Sequence, residues 1–133
     1  MKDMTYVQIA LDKISPIDLA WLCGFYEGEG SCGFYVSKTK RKDTNLHTRR
    51  IIMSIGQRER DVLEHIVKIV GFGHIGYQAN AQNIGRPSNR YECSGDRAVQ
   101  LLKRLLPHMK SPYKISQVQN ALHKWENRPG KVC

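Results

Sequence analysis

No stretch of the chain approaches the ~20 consecutive apolar residues that a membrane-spanning helix needs, which argues against a membrane protein. The N-terminus, Met1 to Lys13, carries Asp3 and Asp12 and has neither the apolar core of a signal peptide nor an Arg/Ser-rich transit composition. Cysteine is sparse: Cys23, Cys32, Cys93 and Cys133 form no C-x-x-C pair and no Cys/His ligand spacing, so neither a zinc site nor a disulfide framework is expected. Cys23, Cys32 and Cys93 fall in apolar patterns and read as small buried hydrophobes of a reducing, intracellular compartment. The histidines, at 47, 65, 74, 108 and 123, show no H-E-x-x-H or H-x-x-x-H spacing. Acids are also scarce, 12 against 21 Lys and Arg, leaving a formal charge of +9 and favouring a polyanionic partner, nucleic acid before membrane. The 133 residues suit one domain, with a core over about 15–126 and short tails.

The most informative segment runs from Leu22 to Gly30, an apolar helical stretch that ends in two carboxylates interleaved with glycines. Ser15-Pro16-Ile17-Asp18 suits a helix start, with Ser15 as N-cap, Pro16 at N1 and Asp18 as the N3 acid. Leu19, Leu22, Cys23 and Tyr26 then follow helical spacing. Gly24 and Gly28 lie four apart on one face, where another backbone can come close. Gly28 and Gly30 are expected to end the helix in a left-handed cap. Glu29 then stands beside free carbonyls at the negative end of the helix dipole, a poor place for another carboxylate unless a cation sits there. Two residues along a helix turn through roughly 200°, so Glu27 and Glu29 cannot face the same ligand, and Glu29 at the tip is the expected one. A solvated turn after an amphipathic helix is the plain alternative for this string.

Beyond the helix, Ser31 to Lys38 alternates with period two and predicts a strand, and a basic polar stretch from Lys38 to Asn45 leads to a second strand, His47 to Gln57. Gln57 to Val70 predicts a helix through Val62, Leu63, Ile66, Val67 and Val70, stopped by Gly71-Phe72-Gly73. Strands at His74 to Asn80 and Ser88 to Ser94 follow, then helices at Asp96 to Leu106 and about Tyr113 to Glu126, separated by Pro107. The order α-β-β-α-β-β-α-α predicts an α+β fold with one four-stranded antiparallel sheet and helices on a single face. The helices are expected to cover the face carrying Phe34, Val36, Ile51, Met53, Ile55, Ile75, Tyr77, Tyr91 and Cys93. The opposite face presents Gly33, Tyr35, Ser37, Thr48, Arg50, Ser54, Gln78, Asn80, Ser88, Arg90 and Glu92, with Arg86 in the preceding turn. A merely solvated face is usually rich in Lys, Glu and Thr. This one mixes Arg, Gln, Asn, Ser and Tyr, the types that read base edges and hold phosphates. With Lys38, Lys40 and Arg41 beside it, it reads as a nucleic-acid surface.

These residues resemble the LAGLIDADG homing endonucleases in their single-motif, homodimeric form. Leu22-Cys23-Gly24-Phe25-Tyr26-Glu27-Gly28-Glu29-Gly30 stands where the name-giving nine residues lie, followed by Ser31 and a strand. Cys23 replaces Ala, aromatics stand at 25 and 26, Gly28 replaces Ala, and both acids are Glu. The succession Ile55-Gly56-Gln57, Gly71-Phe72-Gly73, and Leu105-Leu106-Pro107-His108 leading to Lys114 extends the resemblance over nearly the whole chain. It implies the family fold, αββαββα with a saddle-shaped sheet, lying in the major groove of double-stranded DNA. It also implies a homodimer whose motif helices pack side by side through Leu22, Gly24, Phe25 and Gly28. Catalytic roles fall by resemblance on Glu29, Gln57 and Lys114, with Mg2+ held by Glu29 and the Gly28 carbonyl, and Mn2+ expected to substitute. The implied activity is a double-strand break at a long, near-palindromic site, in the setting of intron or intein mobility. A maturase-like or regulatory protein of the same fold that binds without cutting is the rival, and a plain α+β interaction domain the second.

Overall fold

The computed structural model describes residues 5–38, 47–78 and 88–129. Five helices and four strands follow one another as α1 (Thr5–Asp12), α2 (Pro16–Glu29), β1 (Gly30–Lys38), β2 (His47–Gln57), α3 (Arg60–Val70), β3 (His74–Gln78), β4 (Ser88–Ser94), α4 (Gly95–Leu105) and α5 (Pro112–Glu126). The strands form one antiparallel sheet in the order β1-β2-β4-β3. This is the α+β arrangement that the alternation of strand and helix periods predicts. Two boundaries move. Gln57 closes β2 rather than opening α3, and Pro107 lies in a single 3-10 turn, Leu106–His108, between α4 and α5.

One helix lies outside the sequence prediction. Val7 and Leu11 of α1 are buried, and the helix packs on α4. There Arg97 donates to the Tyr6 hydroxyl and lies over its ring, and Arg104 pairs with Asp12 at 3.0 Å. Eight residues are too few to hold a helix in water without such contacts, so the stretch by itself gave little local signal.

The core lies between the helices and one face of the sheet, where Ile51, Met53, Ile55 and Tyr91 meet Tyr26, Leu63, Ile66, Leu101, Leu102 and Leu105 at full burial. Val36 and Tyr77 belong to that face by alternation but are 54% and 64% exposed, because they lie near strand ends that the helices do not reach. Among the described residues, no helix is long and apolar enough to cross a membrane.

Candidate nucleic-acid interface and helix-end site

Helix α2 starts as its sequence dictates: Ser15 caps it by accepting from the Asp18 amide at 3.1 Å, and Pro16 occupies N1. Leu22, Cys23 and Tyr26 bury its inner face. Its end differs from the expected left-handed cap. Gly28 is still helical, and Gly30 is extended, with φ −102° and ψ 171°, so the chain passes directly into β1. Glycine is required at 30 for space, since a Cβ there would stand 2.4 Å from the Tyr26 ring. The Gly30 amide closes the last helical bond onto the Tyr26 carbonyl, leaving the later carbonyls, Gly28's included, without a donor in the helix.

The two glutamates of the motif are separated as the rotation argument requires. Glu27 is half-buried, and its Oε2 accepts the Lys110 and Ser111 amides at 2.9 and 2.6 Å, tying the α4–α5 connection to α2. Glu29 is exposed at the tip and makes no hydrogen bond or ion pair with the described residues. Ser111 caps α5 through the Lys114 amide, and the Lys114 ammonium donates to the Gly30 carbonyl, one residue beyond Glu29. A turn further on, the Gln117 side chain accepts from the Cys32 amide at 3.3 Å. Gln117 was missed in the sequence; its only signal was sharing a helical face with Lys114. Gln57 is half-buried at the end of β2, two residues past Ile55, which pairs with Gly30. Its Oε1 accepts from the Arg58 amide at 2.7 Å. The structure thus brings Glu29 and Lys114 to the α2–β1 junction and puts Gln57 at the neighbouring strand end.

Of the four residues expected at a helix–helix interface, Leu22 must be removed, because it is fully buried within its own chain. Gly24 and Gly28 are exposed, and a Cβ on either would meet nothing within 4 Å. Ile17, at 82% exposure, extends the same stripe of α2, and Trp21, stacked on the half-buried Phe25 at 5.2 Å, flanks it.

The open sheet face carries Gly33, Tyr35 and Ser37 of β1, Thr48, Arg50 and Ser54 of β2, and Ser88, Arg90 and Glu92 of β4, as their alternation requires. Tyr35 stands opposite Arg50, and its phenol folds over Gly33, where a Cβ would be 2.7 Å from the hydroxyl. Arg90 lies between Gly56 of β2 and Gly76 of β3. Glu92 lies between Ser54 and His74, with 3.5 Å from its Oε2 to the His74 Nε2. Lys38 and Gln78 close β1 and β3, while Lys40, Arg41, Asn80 and Arg86 lie outside the described residues.

Burial pushes the Cys93 thiol up to about 12 and raises those of Cys23 and Cys32, so none of the three is a thiolate nucleophile or ligand at neutral pH. Among the described residues, no three His, Cys, Asp or Glu side chains gather into a metal cage. The chemistry open to this surface is therefore that of one exposed carboxylate at a helix end, an adjacent ammonium and a polar, cationic sheet.

A search of curated proteins by sequence finds no match. Solved structures share the fold. The homing endonuclease I-CvuI, bound to the I-CreI target in magnesium, aligns at TM-score 0.68 with 21% identity, over 86% of this chain and 69% of its own. The archaeal intron-encoded homing endonuclease I-Vdi141I, complexed with DNA, aligns at 0.62 with 19% identity, over 84% and 70%. The group I intron-encoded I-CeuI, also complexed with DNA, aligns at 0.65 with 15% identity, over 86% and 58%. At such identities the likeness speaks for the fold, and the family rests on sequence: the profile of the LAGLIDADG endonucleases matches residues 22–127, from the motif helix to the end of α5, so the chain belongs to the LAGLIDADG endonuclease family.

Proposed function

We propose that this chain is a site-specific DNA endonuclease that works as a homodimer in an intracellular setting and requires a divalent cation, magnesium in the first instance. The observation that carries the reading is the division of labour at the end of α2: Glu27 is consumed by the Lys110 and Ser111 amides, while Glu29 is left exposed one residue before the Gly30 carbonyl that the Lys114 ammonium holds. The donor set fits a hard cation, since Glu29 and the Gly28 carbonyl offer oxygen only. One chain supplies too few such donors, and a second copy of Glu29 with phosphate oxygens would complete the set. Magnesium, when bound, polarises the scissile phosphate and lowers the pKa of an attacking water. Lys114 supplies fixed positive charge where the phosphate's negative charge grows. Gln57, at the neighbouring strand end, has an amide group that can order water. I-CvuI was solved on the I-CreI target in magnesium, with that DNA not cleaved, and on its own target in calcium, which supports a divalent-cation requirement here.

Two strands must be cut and each chain has one motif, so two copies are needed, and a two-fold pair prefers a near-palindromic target. Both Glu29 tips meet only if the two α2 helices run the same way, packed through the exposed Gly24 and Gly28. The open face then lies against the major groove, where Arg50 and Arg90 contact bases and Lys38, Lys40, Arg41 and Lys42 meet phosphates. The decisive experiment incubates the protein with an uninterrupted copy of its host locus, with and without magnesium, and maps the ends. Magnesium-dependent cuts on both strands of one site are expected. Tight, specific binding with intact DNA would transfer the protein to the non-cutting class, and no salt-dependent affinity for nucleic acid would remove both.

A further inference from the structure

Glu92 is out of keeping with its surroundings. Among the described residues of the open face it is the only carboxylate, set between Ser54 and His74 and flanked along β4 by Arg90 and Ser94. A negative charge on a surface that meets a polyanion weakens binding to every sequence unless it finds a donor of its own. The major groove offers such donors at cytosine N4 and adenine N6; adenine sets its N7 acceptor beside the amino group, where it repels a carboxylate, so the base that suits a Glu side chain is cytosine. The cross-strand register also prepares the residue. Ser31, Ser54, Glu92 and His74 stand in one row across all four strands. The His74 ring approaches Oε2 at 3.5 Å, leaving Oε1 as the uncommitted acceptor. Glu92 keeps 28% of its side chain exposed, enough to reach outward from a position held on both sides.

The next row is built differently. Gly56, Arg90 and Gly76 are paired across three strands, so one long side chain stands between two positions with none. A Cβ at Gly76 would meet nothing within 4 Å, and Arg90 makes no hydrogen bond or ion pair with the described residues. The glycines leave room for a base edge to come down beside the guanidinium, whose paired donors match O6 and N7 of guanine.

We infer that Glu92, positioned by His74, selects a cytosine, and that Arg90 selects a guanine about two base pairs away. The spacing follows from the strand: same-face neighbours stand about 6.8 Å apart, and nucleotides follow one another about every 3.4 Å along a duplex. The inference rests on the proposed placement of the open face against DNA.

The test is a binding profile against every single-base variant of the target, in calcium so that cutting plays no part, with thermal unfolding of each variant alongside. E92Q keeps volume and shape. It should lose about tenfold or more in its preference for cytosine at one position, shift toward adenine there because Gln pairs with its N6 and N7, and bind non-specific DNA more tightly. R90A should lose its preference for guanine at a position about two base pairs removed. H74A should blunt the same cytosine preference as E92Q without moving it to another base. A wild type that binds specifically while E92Q reproduces its whole profile overturns the inference and leaves the endonuclease reading standing. Losses in E92Q and R90A that fall on the same base pair, or many apart, overturn the spacing. A wild type without specific DNA affinity removes the endonuclease reading first, and this one with it.

Discussion

Exchanging each motif glutamate for glutamine should move stability and activity in opposite directions. Glu27 accepts two backbone amides at 2.9 and 2.6 Å, and charge-assisted bonds of this kind contribute about 1.5–3 kcal/mol each when buried. The residue is half-exposed and Gln retains one carbonyl acceptor, so Glu27→Gln should cost about 1–2 kcal/mol. For a chain of this size that is a fall in Tm of roughly 3–8 °C. Glu29 has no partner among the described residues and sits at the negative end of α2, so Glu29→Gln should leave stability unchanged or raise it by about 0.3–1 kcal/mol. Activity should invert the ranking. Glu29→Gln should bind the target in calcium and fail to cut it in magnesium, whereas Glu27→Gln should cut well below its lowered Tm. Thermal unfolding without metal or DNA, at one protein concentration, and single-turnover cleavage of the same preparations measure both. A Glu29→Gln variant that cuts near the wild-type rate, or a Glu27→Gln variant at least as stable as the wild type, would refute the division of labour.

Gly24→Leu should leave the monomer fold intact, because nothing lies within 4 Å of a Cβ there, yet shift sedimentation from dimer to monomer and end double-strand cutting; a wild type that sediments as a monomer on DNA would count against the mechanism. Gly30→Ala should be among the most damaging small changes, by about 2 kcal/mol or more, because the added methyl meets the buried Tyr26 ring at 2.4 Å; soluble expression and Tm are the measures. Cys93, with its thiol pushed up to about 12, stabilises the fold fully below the unfolded thiol value near 9 and loses that contribution as pH rises from about 9 to 12. Chemical denaturation over that range should show stability falling, and thiol reagents at pH 8 should label Cys23, Cys32 and Cys93 only on unfolding.

The family, the sheet and the exposure of Glu29 at the tip of α2 were legible because each depends on local pattern. A period of two set the strand faces, a period of 3.6 set the buried side of α2, and two residues of helical rotation separated Glu27 from Glu29. Other features depend on residues distant in sequence. Leu22 is buried with Cys23 and Tyr26 once the core closes, which takes it out of the expected interface, and α1 is held by α4, which offers Arg97 and Arg104. Gly30 had to be glycine for a contact with Tyr26, not for a turn.

Which side chains share a strand face or a helix side could be read from the order of residues alone, since backbone geometry imposes that whatever the rest of the chain does. The folded chain alone reveals that the Lys110 and Ser111 amides take up Glu27, that Lys114 reaches the Gly30 carbonyl across 84 residues, and that Glu92 stands in one row with Ser54 and His74. Register and helix docking bring such partners together through the packing of the whole core, and no local stretch of the chain encodes them.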